Sequence, residues 1–266
     1  MTVAHLIASS GIAASEARSL LALALGCTGE SLIAHPRRAV GAAAAEQFAQ
    51  MCARRRSGEP MAYLVGQREF YGRRYRVDPS VLIPRPETEC LIDAALLLLK
   101  DRASPRVLDL GTGSGCIAIT LALERPDARV VATERSGAAL NMARANALEL
   151  GARVEFLLGE WYAPTAGRFD LIVSNPPYVA AEDPHLPSLG CEPRSALTDE
   201  GDGLSCLRAI ARQAGAHLAE GGLLLVEHGY DQGPAVRELM LNSGFTSVRT
   251  LHDLAGLERV CVASGR

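Results

Sequence analysis

The spacing of apolar residues divides the chain into two parts. Residues 1–62 are rich in Ala, Leu and Arg, and their apolar positions recur at helical spacing, as in Leu20–Leu23 and Ala42–Met51. This pattern, interrupted by Gly and Pro, predicts a small bundle of three or four helices. From Ala62 (AYLVG) onward the pattern becomes typical of strands, which predicts a β-hairpin that turns near Gly72.

Strand-like and helix-like segments alternate in the rest of the chain, after a helix predicted from Pro86 to about Lys100. The predicted strands are 106–110, 129–134, 154–158, 169–174, 222–228, about 245–251 and 259–263, and the predicted helices are 115–124, 136–150, 203–219 and 231–243. This alternation is typical of a parallel sheet covered by helices on both faces. Only the turn Asp253–Gly256 separates the last two strands, so the last strand is predicted to run antiparallel.

The predicted fold is therefore α/β, with a Rossmann-like, seven-stranded, mostly parallel sheet in residues 87–266. A hairpin linker in residues 63–86 joins it to the helical domain of residues 1–62. In such sheets ligands bind beyond the carboxyl ends of the strands. Candidate site residues are therefore sought just after the strand ends, and in the long connection from Asn175 to about Gly203.

Composition and cysteine usage narrow the class of protein. The chain is 48% hydrophobic and 21% charged, which is ordinary for a soluble protein, and no apolar run is long enough to span a bilayer. Its seven cysteines lie far apart and form no C-x-x-C pair. This spacing supports neither a zinc site nor a disulfide framework, and it suits a reducing cytoplasm. No metal and no membrane partner are expected.

The net charge of −3 conceals an asymmetry between the two parts of the chain. Residues 1–76 hold ten Arg against five Glu, a balance of +5, so the remainder is acidic. An acidic catalytic part lacks the broad basic face of a duplex-binding enzyme, so direct DNA binding is not expected. The basic clusters, such as Arg54–Arg56, can meet an acidic or RNA-associated partner, or can simply be a solvated helix face.

A glycine-rich loop, DLGTGSG, follows the first strand of the sheet. Its candidate site residues are Asp109, Gly111, Thr112, Gly113, Ser114 and Gly115. The third glycine comes too early for the G-x-G-x-x-G loop of a dinucleotide site. Small residues let the backbone approach a ligand, and an acid before them favours a ligand with a positive charge. We therefore predict a nucleoside ligand without phosphates, with Asp109 facing its positively charged end.

Acidic residues also follow the next two strands. Glu134 ends the second strand, where a carboxylate can accept hydrogen bonds from both ribose hydroxyls. Glu160 and Trp161 follow the third strand and predict a hydrogen bond and an apolar wall beside an adenine, although a single tryptophan is just as often a core residue. S-adenosylmethionine is the ligand most consistent with these features, because it carries a sulfonium, an α-amino group and a ribose but no phosphate.

The fourth strand ends in the turn Asn175-Pro176-Pro177-Tyr178. The Asn175 side-chain oxygen and the Pro176 carbonyl are two acceptors that suit a planar NH2 group with two hydrogens. The prolines stiffen the turn, and Tyr178 can lie over the flat face of the bound group. The turn is therefore predicted to hold an amide or exocyclic nitrogen against a methyl donor, with Asn175, Pro176 and Tyr178 as the catalytic residues.

Several segments together resemble a known family. They are PMAYLVGQREFYG (60–72), VLIPRPETE (81–89), VLDLGTGSGCIAI (107–119), IVSNPPYV (172–179), the EP and AL pairs at 192–193 and 196–197, GDGL (201–204), GYDQGPAVREL (229–239) and DLAGLERV (253–260). The chain is similar to class I methyltransferases and, more narrowly, to the bacterial peptide chain release factor glutamine N5-methyltransferases of the HemK type. The NPPY turn alone is shared with adenine-N6 and guanine-N2 methyltransferases that act on nucleic acids.

The resemblance implies methylation of the glutamine in the GGQ motif of class 1 release factors. S-adenosylmethionine is then the donor and S-adenosylhomocysteine the product. Carried over by position, Gly111–Gly115 hold the donor, Glu134 binds the ribose, Trp161 borders the adenine, and Asn175–Tyr178 bind the glutamine. The family more often has Asp where Glu134 and Glu160 stand, which lengthens each side chain by one methylene. The resemblance also implies that the N-terminal helical domain meets the release factor.

Two other functions use the same features. One is a nucleic-acid N-methyltransferase, which the acidic charge of the catalytic part disfavours. The other is a catalytically silent protein that binds the donor or a translation factor. The intact Asn175 and glycine loop disfavour that interpretation.

Overall fold

The computed structural model describes residues 1–265, which form two compact units, Met1–Gln67 and a larger one that begins at Arg68. The helices of the first unit are α1 (Val3–Ala8), α2 (Ala14–Leu25), α3 (Gly29–Ala34), α4 (Ala42–Arg56) and α5 (Met61–Val65). The core between α2 and α4 includes Leu20, Leu21 and Phe48, which are almost fully buried. The helical spacing read from the sequence therefore marks the face that is buried.

Helix α5 corrects one prediction from the sequence. The segment AYLVG, expected to be strand-like, is helical from Met61 to Val65. Pro60 is its N-cap residue, and Gly66 ends it with a left-handed backbone (φ 77°) that suits glycine. The run AYLV has no alternation of apolar and polar residues, so these start and stop signals decide its conformation.

The second unit begins with the predicted hairpin and continues as an α/β fold. Its elements are β1 (Gln67–Phe70), β2 (Arg73–Arg76), α6 (Glu89–Leu99), β3 (Arg106–Leu110), α7 (Cys116–Glu124), β4 (Arg129–Glu134), α8 (Gly137–Leu150), β5 (Val154–Leu158), β6 (Phe169–Ser174), α9 (Arg194–Leu197), α10 (Ser205–His217), β7 (Leu218–Glu227), α11 (Gly233–Asn242), β8 (Ser247–His252) and β9 (Glu258–Ser264). Strands β1 and β2 form a separate two-stranded sheet.

Seven strands form the main sheet in the order β5-β4-β3-β6-β7-β9-β8. Strand β9 runs antiparallel to both β7 and β8, and the other pairs are parallel, as predicted. Val107 packs with α6 and α7, whereas Leu108 packs with α10 and α11, so helices cover both faces. The strand order reverses direction between β3 and β6, which makes their carboxyl ends the switch point where ligands bind in such sheets.

Two segments differ from the sequence prediction. Helix α10 ends at His217, and Leu218 already belongs to β7, where it pairs with Phe169. The long connection after Ser174 is not structureless, because it contains a 3-10 helix (Leu186–Leu189) and the one-turn helix α9. Within residues 1–265, no helix is long and apolar enough to cross a membrane.

Candidate functional site

The carboxyl ends of three adjacent strands bring the predicted site residues together. In the register of the sheet, Leu110 of β3 pairs with Thr133 of β4 on one side and with Ser174 of β6 on the other. The next residues along these strands are Gly111, Glu134 and Asn175. The glycine loop, the acid and the NPPY turn therefore meet at one edge because three polar segments each follow a buried strand.

A cleft of about 730 Å³ opens at this edge. The predicted site residues that line it are Gly111, Thr112, Gly113, Ser114, Glu134, Glu160, Trp161, Asn175 and Pro177. Asp109, Gly115, Pro176 and Tyr178 do not line it. The cleft has one wall that the sequence prediction missed, from residues 80–88. Another wall comes from residues 193–200, within the long connection that was predicted to lie at this edge.

The backbone conformation of the glycine loop favours glycine over residues that have a Cβ. Gly111, Gly113 and Gly115 all have positive φ angles, between 55° and 85°. The N–H groups of Gly111 and Thr112 both donate to the Thr133 carbonyl, at 2.9 and 3.0 Å, which ties the loop to β4. A Cβ on Gly113 would meet open space, so the loop leaves room above it for a ligand.

The Glu134 carboxylate is held in place by two backbone groups. Its Oε2 accepts from the Gly113 N–H at 3.0 Å, and its Oε1 accepts from the Ser136 N–H at 2.9 Å. An ionised carboxylate offers about four lone-pair sites. Each oxygen of Glu134 can therefore accept one more hydrogen bond, from a group in the cleft.

Trp161 and Glu160 lie on the next part of the wall. The indole ring of Trp161 approaches the glycine loop, since a Cβ on Gly111 would lie 3.5 Å from its Cζ3 atom. The Glu160 side chain is 62% exposed, and its carboxylate lies 3.8 Å from the Arg135 guanidinium. Trp161 thus supplies an apolar surface, while the Glu160 carboxylate stays in solvent.

Asp109 lies beneath the loop, which corrects the prediction that its carboxylate faces the ligand. The residue is completely buried, and its Oδ2 accepts from the Thr112 hydroxyl at 2.6 Å and from the Ala118 N–H at 3.2 Å. Its Oδ1 has no hydrogen-bond partner among the described residues, and burial raises the pKa of Asp109 to about 7. The Asp109 carboxylate therefore stabilises the loop from its buried side, through the hydrogen bond with Thr112.

The NPPY turn contains two acceptors, Oδ1 of Asn175 and the Pro176 carbonyl, and of these two residues only Asn175 lines the cleft. Nδ2 of Asn175 donates to the Thr88 hydroxyl oxygen at 3.1 Å, which turns the amide oxygen away from Thr88. Within residues 1–265, no group donates to that oxygen or to the Pro176 carbonyl. Pro176 is buried and Pro177 lines the cleft, so the turn fixes these acceptors without backbone N–H groups nearby to compete for them.

Tyr178 is directed away from the cleft, unlike the predicted position over a bound amide. Its hydroxyl donates to Oε1 of Glu227 at 3.1 Å, and its carbonyl accepts from Nε2 of Gln232 at 2.9 Å. A Cβ on Gly203 would overlap this same carbonyl. Gln232 of the GYDQG segment, to which the sequence alone gives no role, therefore holds the backbone of the turn, and Gly203 of the GDGL segment packs closely against it.

A second brace joins two other segments of the family pattern. Oε2 of Glu192 accepts from the Ile83 N–H at 3.0 Å, and Oε1 pairs with the Arg85 guanidinium. The Glu192 side chain is almost fully buried. The EP pair thus fixes the PRPETE segment, which carries Thr88 to the Asn175 side chain.

The histidines His185 and His228 do not line the cleft. His228 is buried, its Nδ1 lies 2.8 Å from the Gly229 carbonyl, and burial lowers the pKa of the imidazole. The Ser188 hydroxyl donates to the His185 carbonyl at 2.6 Å, which stabilises the 3-10 helix of the long connection. Both residues thus have local contacts that fit a structural role.

Comparison with protein families gives two matches that together span most of the chain. Residues 92–256 match the Methyltransferase small domain, and residues 3–66 match the PrmC N-terminal domain. The chain is 51% identical over 259 residues to a release factor glutamine methyltransferase from Bordetella pertussis, with 96% of each chain covered. It is 56% identical over 221 residues to the protein of that name from Neisseria gonorrhoeae, covering 81% of this chain and 79% of the relative.

Solved structures share the fold. A methyltransferase from Pyrococcus furiosus superposes with a TM-score of 0.55 at 19% identity, covering 73% of this chain and 90% of that one. A T. thermophilus 16S rRNA methyltransferase, solved with AdoMet and guanosine, gives a TM-score of 0.56 at 23% identity, covering 75% of this chain and 50% of that one. At these identities the likeness concerns the fold alone.

Proposed function

The chain belongs to the release factor glutamine methyltransferase family, and we propose that it methylates the side-chain amide nitrogen (N5) of the GGQ glutamine in class 1 peptide chain release factors. S-adenosylmethionine is the proposed methyl donor. One observation carries this assignment beyond family membership. Asn175, whose amide oxygen receives no hydrogen bond from the described residues, lies on the same cleft and at the same sheet edge as the glycine loop and Glu134.

The residues of the cleft fit this donor, which supplies an electrophilic methyl group on a sulfonium. Glu134 has lone pairs left for two ribose hydroxyls after its two backbone hydrogen bonds. Trp161 offers an apolar face beside Gly111 for the adenine. Gly111 and Gly113 line the cleft without a side chain, and the open space at Gly113 lets the backbone of the loop approach the donor closely. Asp109 contributes indirectly, by holding Thr112.

The NPPY turn is proposed to bind the glutamine amide. An amide nitrogen is a poor nucleophile because its lone pair is delocalised. Oδ1 of Asn175 and the Pro176 carbonyl can each accept one hydrogen of the NH2 group, which draws electron density toward the nitrogen. The same acceptors stabilise the positive charge that develops on nitrogen during attack, and they add no charged group to the cleft.

Orientation is the second contribution of the turn. Holding both hydrogens of the amide fixes the nitrogen and its lone pair relative to the donor side of the cleft. Near-attack positioning of this kind can lower the barrier by about 7–11 kcal/mol in well-oriented cases. The prolines and the Gln232 brace on the Tyr178 carbonyl keep the acceptors in place before substrate arrives.

The N-terminal unit is proposed to meet the release factor. Its residues 3–66 match the PrmC N-terminal domain. Two of its arginines already have acidic partners within the unit, because Arg54 pairs with Glu59 and Arg55 pairs with Glu16. Arg37 and Arg38 are exposed and have no carboxylate partner among the described residues. These two arginines are the better candidates for contact with an acidic surface on the release factor.

A methyl-transfer assay with radiolabelled donor tests the proposal. The acceptors are purified release factor, the same factor with its GGQ glutamine replaced by glutamate, ribosomal RNA and DNA. We expect label on the unmodified release factor alone. Label on a nucleic acid but not on the release factor would establish the alternative function.

Asn175→Ala tests the role of the turn in the same assay. We expect a rate at least ~100-fold lower, because removing one preorganised hydrogen-bonding group from an active site costs this much. Donor affinity, measured by calorimetry, should change by less than the rate does. Asn242→Ala, at an exposed asparagine that ends α11, is the matched control and should keep the wild-type rate. Unchanged turnover in Asn175→Ala would remove this residue from the mechanism.

A further inference from the structure

A buried asparagine joins the glycine loop to strand β2. Asn146 lies on α8 and is 1% exposed, and the other buried residues of that helix are apolar. Its Oδ1 accepts from the Arg76 N–H at 2.8 Å, and its Nδ2 donates to the Arg76 carbonyl at 3.0 Å. The same Nδ2 donates to the Ser114 carbonyl at 2.8 Å. One side chain therefore contacts both the end of β2 and the loop that lines the cleft.

These contacts use the whole donor capacity of the amide. An asparagine NH2 group has two hydrogens, and here each of them has a carbonyl acceptor. A reversed amide would place its oxygen against both carbonyls, so only the observed orientation satisfies all three partners. A residue that served only to dock β2 would need no contact with Ser114. The second hydrogen thus indicates a role at the glycine loop.

The peptide unit between Ser114 and Gly115 is held at both ends. Its carbonyl accepts from Asn146, and its N–H donates to the Thr112 carbonyl at 2.8 Å. Because a peptide unit is planar, these two hydrogen bonds together fix its rotation. Without the Asn146 bond only one of them is left, and the unit is free to rotate within the loop.

Helix α8 also packs against the loop at Ala143, three positions before Asn146. A Cβ on Gly115 would lie 3.1 Å from Cβ of Ala143. Residues three positions apart are neighbours on one face of a helix. This face of α8 therefore limits the loop sterically at Ala143 and holds it by hydrogen bonding at Asn146.

We propose that Asn146 is a positioning residue of the donor site, which fixes the loop backbone at Ser114 and couples the loop to β2. The inference rests on the proposed function for the identity of the donor. Neither Asn146 nor β2 lines the cleft, so Asn146 acts on the donor only through the loop. Coupling of this kind is reciprocal. If the contact of Asn146 with β2 favours the donor-binding form of the loop, then the bound donor stabilises that contact in turn.

Donor affinity is the first test. Asn146→Leu removes all three hydrogen bonds at similar side-chain size. Affinity for S-adenosylhomocysteine, measured by calorimetry, should fall at least ~10-fold, within the usual range of coupling between sites. In the methyl-transfer assay, KM for the donor should rise by a similar factor. At saturating donor kcat should stay within about 3-fold of wild type, because the NPPY turn keeps its own contacts.

Tyr75→Phe is the matched control. The Tyr75 hydroxyl lies 2.8 Å from the Thr120 hydroxyl, and both residues are completely buried. This substitution therefore also removes a buried hydrogen bond between β2 and a helix, but it leaves the contacts of Asn146 in place. Donor affinity should stay within about 2-fold of wild type.

Hydrogen exchange resolved to single amides tests the coupling directly. In the wild type, saturating S-adenosylhomocysteine should slow exchange of the Arg76 amide at least ~5-fold, although β2 lies outside the cleft. This protection should be lost in Asn146→Leu and kept in Tyr75→Phe. In the free protein, the Gly115 amide should exchange faster in Asn146→Leu than in the wild type, because its peptide unit is then held at one end only.

These measurements separate the inference from the proposed function. Failure to methylate a release factor would refute the proposed function and leave the exchange results unchanged. The comparison of free proteins needs no donor. The wild-type comparison needs no variant, so it decides the matter if Asn146→Leu fails to fold.

Four results would overturn the inference. The first is a donor affinity of Asn146→Leu within about 2-fold of wild type. The second is an equal loss of affinity in Asn146→Leu and Tyr75→Phe. The third is an Arg76 amide in the wild type that does not respond to bound S-adenosylhomocysteine. The fourth is exchange of the Gly115 amide at the wild-type rate in free Asn146→Leu.

Discussion

The packing of the glycine loop makes a quantitative prediction about two neighbouring glycines. Gly113 and Gly115 have positive φ angles of 55° and 85°, so alanine is strained at both. A Cβ on Gly113 would meet nothing within 4 Å. A Cβ on Gly115 would lie 2.7 Å from Cδ1 of Ile119 and 3.1 Å from Cβ of Ala143. The two substitutions therefore share the backbone strain and differ in packing.

The expected energies follow from this difference. A left-handed backbone costs an alanine about 1–2 kcal/mol. Overpacking a tight interior contact adds about 1–3 kcal/mol. Gly113→Ala should thus destabilise the second unit by about 1–2 kcal/mol and Gly115→Ala by about 2–5 kcal/mol. The effect of alanine on the unfolded chain is common to both and cancels in the comparison.

Urea denaturation followed by tryptophan fluorescence measures this comparison. Trp161 is the only tryptophan and belongs to the second unit, so it reports the unfolding of that unit. Donor affinity should show the opposite order, because Gly113 lines the cleft and Gly115 does not. Unfolding free energies that agree within about 0.5 kcal/mol, the ordinary range for harmless substitutions, would refute the tight contact at Gly115.

Two further predictions concern the acids of the site. The folded protein keeps a proton on Asp109 up to about pH 7, whereas the unfolded chain releases it near the ordinary aspartate pKa of 3.8. Between these pH values the folded state binds more protons than the unfolded state. The contribution of Asp109 should therefore lower the free energy of unfolding by about 4 kcal/mol as the pH rises. Urea titrations at several pH values should show a smaller decrease in Asp109→Asn than in the wild type. Glu134→Ala should weaken donor binding at least ~10-fold by calorimetry, and Glu134→Asp should weaken it less. Equal affinity of wild type and Glu134→Ala would remove the ribose assignment.

The sequence predicted the edge of the sheet well because the signal there is local. Each buried strand ends abruptly in residues that cannot continue it, namely glycines after Leu110, a carboxylate at Glu134 and prolines after Asn175. In a parallel sheet such ends must meet on one side. The local rule failed where apolar runs lack alternation, as in Met61–Val65, and where a strand begins in residues that read as the end of a helix, as at Leu218.

The arrangement behind the NPPY turn could not be predicted in this way, because it depends on contacts between distant segments. Thr88 reaches Asn175 across 87 positions, and Tyr178 reaches Glu227 across 49. Each residue has an ordinary local interpretation, Thr88 near a helix start and Glu227 at the end of an apolar strand. One local signal was nevertheless present, since an acid that ends the run GLLLVE at a strand's carboxyl end is positioned to be buried. A buried acid requires donors, and Glu227 accepts a hydrogen bond from the Tyr178 hydroxyl. The local signal therefore identifies Glu227 as an acid in need of hydrogen-bond donors, but only the fold shows that Tyr178 is one of them.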